Sequence, residues 1–220
     1  MAQTYSKVSN TESNTSTKVI TVRETGPEEI DTLKNVVEIH NETFKGFFLT
    51  FMGKGFLYQM YHSFTEDKNS GLLIAEDDGK TVGFLAYSAN LSELYKYMIR
   101  KRLIAFGWFA FLAFLRRPKA FMHILGAFLK PSESKRDEPY VELSSIGVLP
   151  DEKTNGIGSA MIDYLKKSVD FNKYDYITLE TDAENNEAAN KFYQKNNFVL
   201  HRQFTTREGR LMNEYRFSGI

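Results

Sequence analysis

The chain has 220 residues, 42% hydrophobic and 25% charged, the make-up of one ordinary globular domain with room for an insertion. Its 28 basic and 28 acidic residues cancel, so no overall field favours a nucleic-acid partner. Cysteine is absent, which excludes disulfides, thiolate metal sites and a thioester on the enzyme, and is compatible with a cytoplasmic location.

Residues 1–17 are rich in Ser, Thr and Asn and bury too little apolar surface to offset their ordering entropy, so they are expected to be a flexible tail. They have no apolar stretch of the kind a secretory signal needs. The globular domain is expected over residues 18–220. Residues 19–23 alternate as a strand. Pro27, Glu28, Glu29 and Asp31 mark a helix start, and Ile30, Leu33, Val36, Val37 and Phe44 give that helix an apolar face. A second helical stretch, residues 47–65, is crowded with Phe and Tyr. Two apolar runs, 72–75 and 81–87, flank Asp78-Gly79 and read as a hairpin. Residues 91–138 interrupt the pattern. It resumes with a strand at 140–148, a helix at 158–170, a strand at 176–181, a helix at 186–195 and a hairpin of 198–204 with 211–217. This order predicts an α/β fold with one mixed sheet covered by helices.

The chemistry concentrates after residue 140. Residues 140–161 read YVELSSIGVLPDEKTNGIGSAM, a strand that turns through Gly156 and Gly158 into a helix. Glycines let backbone N–H groups approach an anion, and a helix start leaves such groups unpaired with a partial positive charge. The combination suits a pyrophosphate. It is neither a P-loop nor a dinucleotide fingerprint, and by itself it also fits a structural Gly-rich turn. The four histidines, at 40, 62, 123 and 201, fall at no metal spacing, so no metal is expected. No GxSxG elbow appears.

A second segment, LETDAENNEAANKFYQKNNF at 179–198, points further. Together the two segments resemble the GNAT N-acetyltransferase superfamily. Lys153 to Gly158 is similar to its (Q/R)xxGx(G/A) motif after a strand ending in V-x-P, and Asn186 to Phe198 is similar to its N-x-A-A-x-x-x-Y-x-K-x-G-F pattern. Lys153 stands where the family has Gln or Arg, Asn155 where a basic residue is common, and Asn197 where Gly is usual. The resemblance implies a GNAT-like mixed, splayed sheet flanked by helices, with a helical insertion before the central cofactor-binding strand. It implies acetyl-CoA as cosubstrate and direct acetyl transfer to a primary amine, for instance on an amino sugar or another anionic metabolite. Backbone N–H groups of Lys153, Thr154, Asn155, Gly156, Ile157, Gly158 and Ser159 would cradle the pyrophosphate. Ile146, Gly147 and Val148 would line the pantetheine, with the Ile146 N–H as oxyanion donor. Asn186 would bond the pantetheine arm, and Tyr193 would protonate the leaving thiolate.

Glu142 is the candidate general base. Strict alternation puts 142, 144, 146 and 148 on one strand face, within about 13 Å of the acetyl position. Family members that use a base on this strand carry it at the matching position. A salt-bridging role for Glu142, a packing role for Tyr193 and a helix-capping role for Asn186 are the plainer alternatives.

Residues 94–132 contain no acidic residue, and 103–115 carry no charge. Thirteen such residues are too few to span a bilayer. Pro118 is expected to separate two helices. The insertion reads as a helical hairpin packed on the domain, as a lid and wall of the acceptor site, or as a surface that docks on an anionic membrane or a partner. In the second reading, Arg100 and Arg102 would meet the acceptor, with Phe47 and Phe48 forming the opposite wall. A CoA-binding module without turnover is an alternative function. Oligomeric state is not legible.

Overall fold

The computed structural model describes residues 2–8, 17–116, 118, 121, 138–206 and 209–219. Eight strands form one sheet in the order β1-β2-β3-β4-β5-β6-β8-β7. They are β1 Gln3–Val8, β2 Thr17–Glu24, β3 Ser70–Asp77, β4 Lys80–Ser88, β5 Tyr140–Val148, β6 Tyr176–Asp182, β7 Val199–Thr205 and β8 Leu211–Phe217. Among the described residues only the β5–β6 pair is parallel. The helices are α1 Ile30–Thr43, α2 Phe48–Met52, α3 Lys54–Glu66, α4 Leu91–Arg116, α5 Ile157–Ser168 and α6 Glu187–Lys195. A 3₁₀ helix, Pro150–Asn155, precedes α5.

The middles of the central strands β3 and β4, Leu72–Ala75 and Val82–Ala86, are apolar on both sides because helices cover both faces. Leu72, Ile74, Phe84 and Ala86 pack with Leu33, Val36, Leu57 and Tyr61 of α1 and α3, and with Leu94 of α4. On the other face Leu73, Ala75 and Leu85 pack with Met161, Ile162 and Leu165 of α5. The expected hairpin turn is present. Asp78 and Gly79 both have positive φ, 49° and 76°, the requirement of a primed turn that follows the strand twist.

Two expectations are corrected. Residues 3–8 are not tail: they form β1, antiparallel to β2, because Tyr5 gives this polar stretch one apolar anchor on the α5 side of the core. The Lys167 ammonium lies 5.7 Å from the Tyr5 ring centroid, a cation–π contact. The single helix expected over 47–65 is two, because Gly53, at φ 92°, ends α2 before α3 starts. The helix of the insertion kinks at Arg102 (φ −131°, ψ 15°). The break expected at Pro118 falls where only Pro118 and Phe121 are described.

Candidate active site

The site begins with one extra residue. β4 and β5 pair from Gly83↔Val148 to Ala86↔Ser145, then from Tyr87↔Leu143 to Ser88↔Glu142. Ser144 has no partner on β4 and forms a β-bulge, which bends the strand and increases its twist. The bulge falls where β5 leaves β6. The two strands pair only at Tyr140↔Tyr176, Val141↔Ile177 and Glu142↔Thr178. Among the described residues, β6 beyond this point pairs only with β8, and residues 143–148 of β5 keep an open edge. A wedge-shaped gap opens toward the carboxyl ends of the two parallel strands.

Backbone direction follows from one bond. Leu149 N–H donates to Val82 O of β4 at 2.9 Å. Strand N–H groups alternate sides, so those of Ile146 and Val148 face away from β4 into the gap. An extended ligand in the gap meets these groups as it would meet a sheet edge. Thr43 Oγ1, at the end of α1, donates to Val148 O at 3.2 Å and ties α1 to the mouth of the gap.

The turn after β5 completes the open end. Gly156 is left-handed at φ 76°, and an added Cβ there meets nothing within 4 Å. It is the N-cap residue of α5 and no side chain caps that helix, so its first N–H groups keep their donor capacity. Gly158 is confined differently. A Cβ on it would sit 2.9 Å from Phe192 Cζ and 3.9 Å from Ile146 Cδ1. Its smallness lets α6 close on α5 beside β5. The side chains of Lys153 and Thr154 lie outside the described residues.

From β6, α6 brings the second set of groups. Asn186 is the N-cap residue but its side chain makes no cap bond, and its amide instead donates to Thr181 Oγ1 at 2.7 Å. Asn190 Nδ2 donates to Asp182 O at 2.9 Å and fixes the start of α6 on β6. Tyr193 is buried among Phe192, Phe198 and Tyr215, and burial pushes its hydroxyl up to about 12, so it stays protonated at neutral pH. Asn197, in the family's glycine position, is left-handed at φ 59°.

The bulge also changes which residues share a face, against the simple alternation of the sequence reading. Leu143, Ile146 and Val148 lie on the α5 side with Tyr87, Leu85 and Gly83. Glu142, Ser145 and Gly147 lie on the opposite side with Ser88, Ala86 and Phe84. Glu142 therefore faces the layer of α1, α3 and α4. Tyr95 of α4 is near enough that the Glu142 carboxylate adds to burial in raising its hydroxyl to about 12. Ser145 Oγ lies 3.4 Å from the hydroxyl of Tyr61, which in turn is 2.6 Å from His40 Nδ1. Burial pushes His40 down to about 4, so this imidazole is neutral. Nothing local signals the Ser145–Tyr61–His40 chain, Thr43 or Phe192, because their partners are far away along the chain.

Of the residues expected at the acceptor, Phe47 and Arg100 are exposed. Phe48 packs instead with Met52, Ala113 and Phe121 between α2 and the insertion. Arg102 turns into α3. Its guanidinium bonds Gln59 and Glu66, and lies 2.8 Å from His62 Nδ1, so it clamps α4 onto α3 and is not free for a ligand.

A mixed sheet parted at its parallel pair, with directed N–H groups and an uncapped helix start at the opening, makes a cleft suited to an extended, phosphate-bearing ligand. Residues 33–198 match the sequence model of the Acetyltransferase (GNAT) family, and the chain belongs to that family. It is an acetyltransferase, and acetyl-CoA is the family's cosubstrate. Solved structures agree on the fold. An N-acetyltransferase from Staphylococcus aureus is 15% identical, with a TM-score of 0.56, over 90% of this chain and 98% of the other. An acetyltransferase of the GNAT family from Bacillus cereus is 17% identical, with a TM-score of 0.55, over 91% and 98%. The ribosomal-protein-S18-alanine N-acetyltransferase of Escherichia coli is 12% identical, with a TM-score of 0.54, over 90% and 93%. No curated sequence matches the chain significantly.

Proposed function

We propose that the protein moves the acetyl group of acetyl-CoA directly to a primary amine of a small-molecule acceptor, in a ternary complex. The observation that carries this reading is the gap between β5 and β6, with the Ile146 and Val148 N–H groups directed into it and the uncapped start of α5 at its open end. The N–H groups of Ile157, Gly158 and Ser159, in the uncapped first turn of α5, hold the pyrophosphate, since those of residues 153–155 serve the 3₁₀ helix, and Asn186 and the 146–148 edge hold the pantetheine. The Ile146 N–H bonds the acetyl oxygen as negative charge develops there, a contribution of about 3–4 kcal/mol where such donors have been removed.

Glu142, on the α1–α3–α4 side, takes a proton from the attacking ammonium, directly or through water. The amine nitrogen bonds to the acetyl carbon, the carbon–sulfur bond breaks, Tyr193 gives its proton to the departing thiolate, and the second proton leaving the nitrogen restores the Tyr193 hydroxyl through water. Tyr193 carries the proton at neutral pH that this role requires. The acceptor enters from the face that Glu142 shares with α4, with Phe47 and Arg100 at the entrance.

The test is calorimetric titration with acetyl-CoA, followed by CoA release over a panel of amino sugars, polyamines, amino acids and peptides. Binding together with release for a small amine is expected. Glu142→Gln is expected to lower kcat/KM and remove the acidic limb of its pH profile. Binding without release for any amine overturns the catalytic reading; release only with peptides overturns the small-molecule acceptor.

A further inference from the structure

The second half of α4 is apolar all round. No charge lies between Arg102 and Arg116. One face packs inward: Phe106, Ala110, Ala113 and Phe114 join the clusters around α2 and α3, and Phe109 lies against Gly55. The opposite face presents Ile104 (90% exposed), Trp108 (58%), Phe111 (51%) and Leu115 (59%). Their spacing of four, three and four residues makes one stripe along the helix. Trp108 and Phe111 lie side by side in it, ring centroids 6.3 Å apart. Exposed Arg100 and Lys101 stand at one end of the stripe; exposed Arg116 follows its other end, with its guanidinium reaching back beside Gly53, between α2 and α3.

We infer that this stripe docks on an anionic lipid surface, with α4 lying in the plane of the interface. The charge pattern decides the occupant. A second copy laid along the stripe, in either direction, brings basic ends against basic ends. Anionic headgroups neutralise both ends while the stripe enters the acyl boundary, where Trp is favoured. The helix after the kink is about 21 Å long, too short to cross a hydrocarbon core of about 30 Å, so it lies on the bilayer. Among the described residues no helix is long and apolar enough to span one.

Trp108 is the chain's only tryptophan, so its fluorescence reports on the stripe. The full chain is titrated with vesicles of phosphatidylcholine alone and of phosphatidylcholine with phosphatidylglycerol, and co-sedimentation is measured in parallel. Anionic vesicles are expected to shift Trp108 emission to shorter wavelength and to pull the protein down; zwitterionic ones are not, and high salt weakens the effect. Ile104→Ser with Phe111→Ser is expected to lower vesicle affinity by about tenfold or more. Lys101→Gln with Arg116→Gln is expected to remove the preference for anionic lipid. Acetyl-CoA affinity, measured on each variant, certifies that the fold is intact and keeps this test separate from the catalytic one. Unchanged emission with anionic vesicles overturns the proposal, as does undiminished vesicle binding by the serine variant. An emission shift that follows protein concentration without lipid, with a doubled mass in sedimentation, assigns the stripe to a second copy and also overturns it.

Discussion

Gly158→Ala separates two reasons for a glycine at the start of α5. If the residue is small so that a ligand can approach, alanine should block that approach. The structure points inward: the new Cβ would lie 2.9 Å from Phe192 Cζ and 3.2 Å from Cε2. Carbon atoms rest at about 3.5–4.0 Å, so the ring must retreat by roughly 0.5–1 Å. Its neighbour Tyr193, 5.3 Å away between ring centroids, resists that movement. Overpacking of this kind costs about 1–3 kcal/mol, and the better helix propensity of alanine returns up to about 1 kcal/mol. A net loss of about 1 kcal/mol lowers Tm by about 2–4 °C in a chain of this size. Calorimetry reads Tm, and titration reads acetyl-CoA affinity, which should stay within a few-fold. Adding Phe192→Leu should recover most of the loss, a coupling of about 1 kcal/mol in a double-mutant cycle. An unchanged Tm with collapsed affinity would refute the packing argument and make Gly158 a ligand-approach residue.

Tyr193→Phe should lower kcat by about 10²–10⁴-fold with little change in the KM for acetyl-CoA, read by CoA release; wild-type kcat returns Tyr193 to packing alone. His40 gives a pH dependence. Its imidazole titrates near 6.5 unfolded and near 4 in the native core. Its contribution is therefore complete above about pH 6.5, is lost as pH falls from there to about 4, and then levels off. At about 1.4 kcal/mol per pH unit the total is about 3 kcal/mol, seen as a falling urea midpoint. His62 is also held low, by burial and by Arg102, so the comparison is with His40→Leu, which should flatten the slope. Arg102→Gln should cost about 1–3 kcal/mol by releasing Glu66 and His62 from the α3–α4 clamp. It should leave acetyl-CoA binding unchanged; weakened acceptor KM with unchanged Tm would restore Arg102 to the acceptor site.

Much of this was readable beforehand, for physical reasons. Asp78-Gly79, Gly156 and Asn197 announce their left-handed backbones through local sterics, and all three adopt them. The motif segments bring their own geometry, a strand turning into a helix start, so the order of elements after residue 140 is local information. What failed to show was set by contacts between distant parts of the chain. Tyr5 looks like one aromatic in a polar tail until the face of α5 is there to receive it. Arg102 reads as a free cation until Glu66 and His62 of α3 stand opposite. The Ser144 bulge has no composition of its own, yet it moved Glu142 to the face opposite Ile146.

That bulge makes the strand depend on how many residues it has, beyond which ones they are. Ser144 is exposed, and its side chain is free to vary. Its presence is what offsets the two halves of β5. Deleting it would restore unbroken alternation, so one half of the strand would turn its apolar side chains to the wrong layer, or the pairing with β4 would slip. Closing the register would also remove the bend that parts β5 from β6. In a mutational library this position should therefore tolerate nearly every amino acid and no frame-preserving loss, a signature that a scan of substitutions alone would record as an unimportant residue.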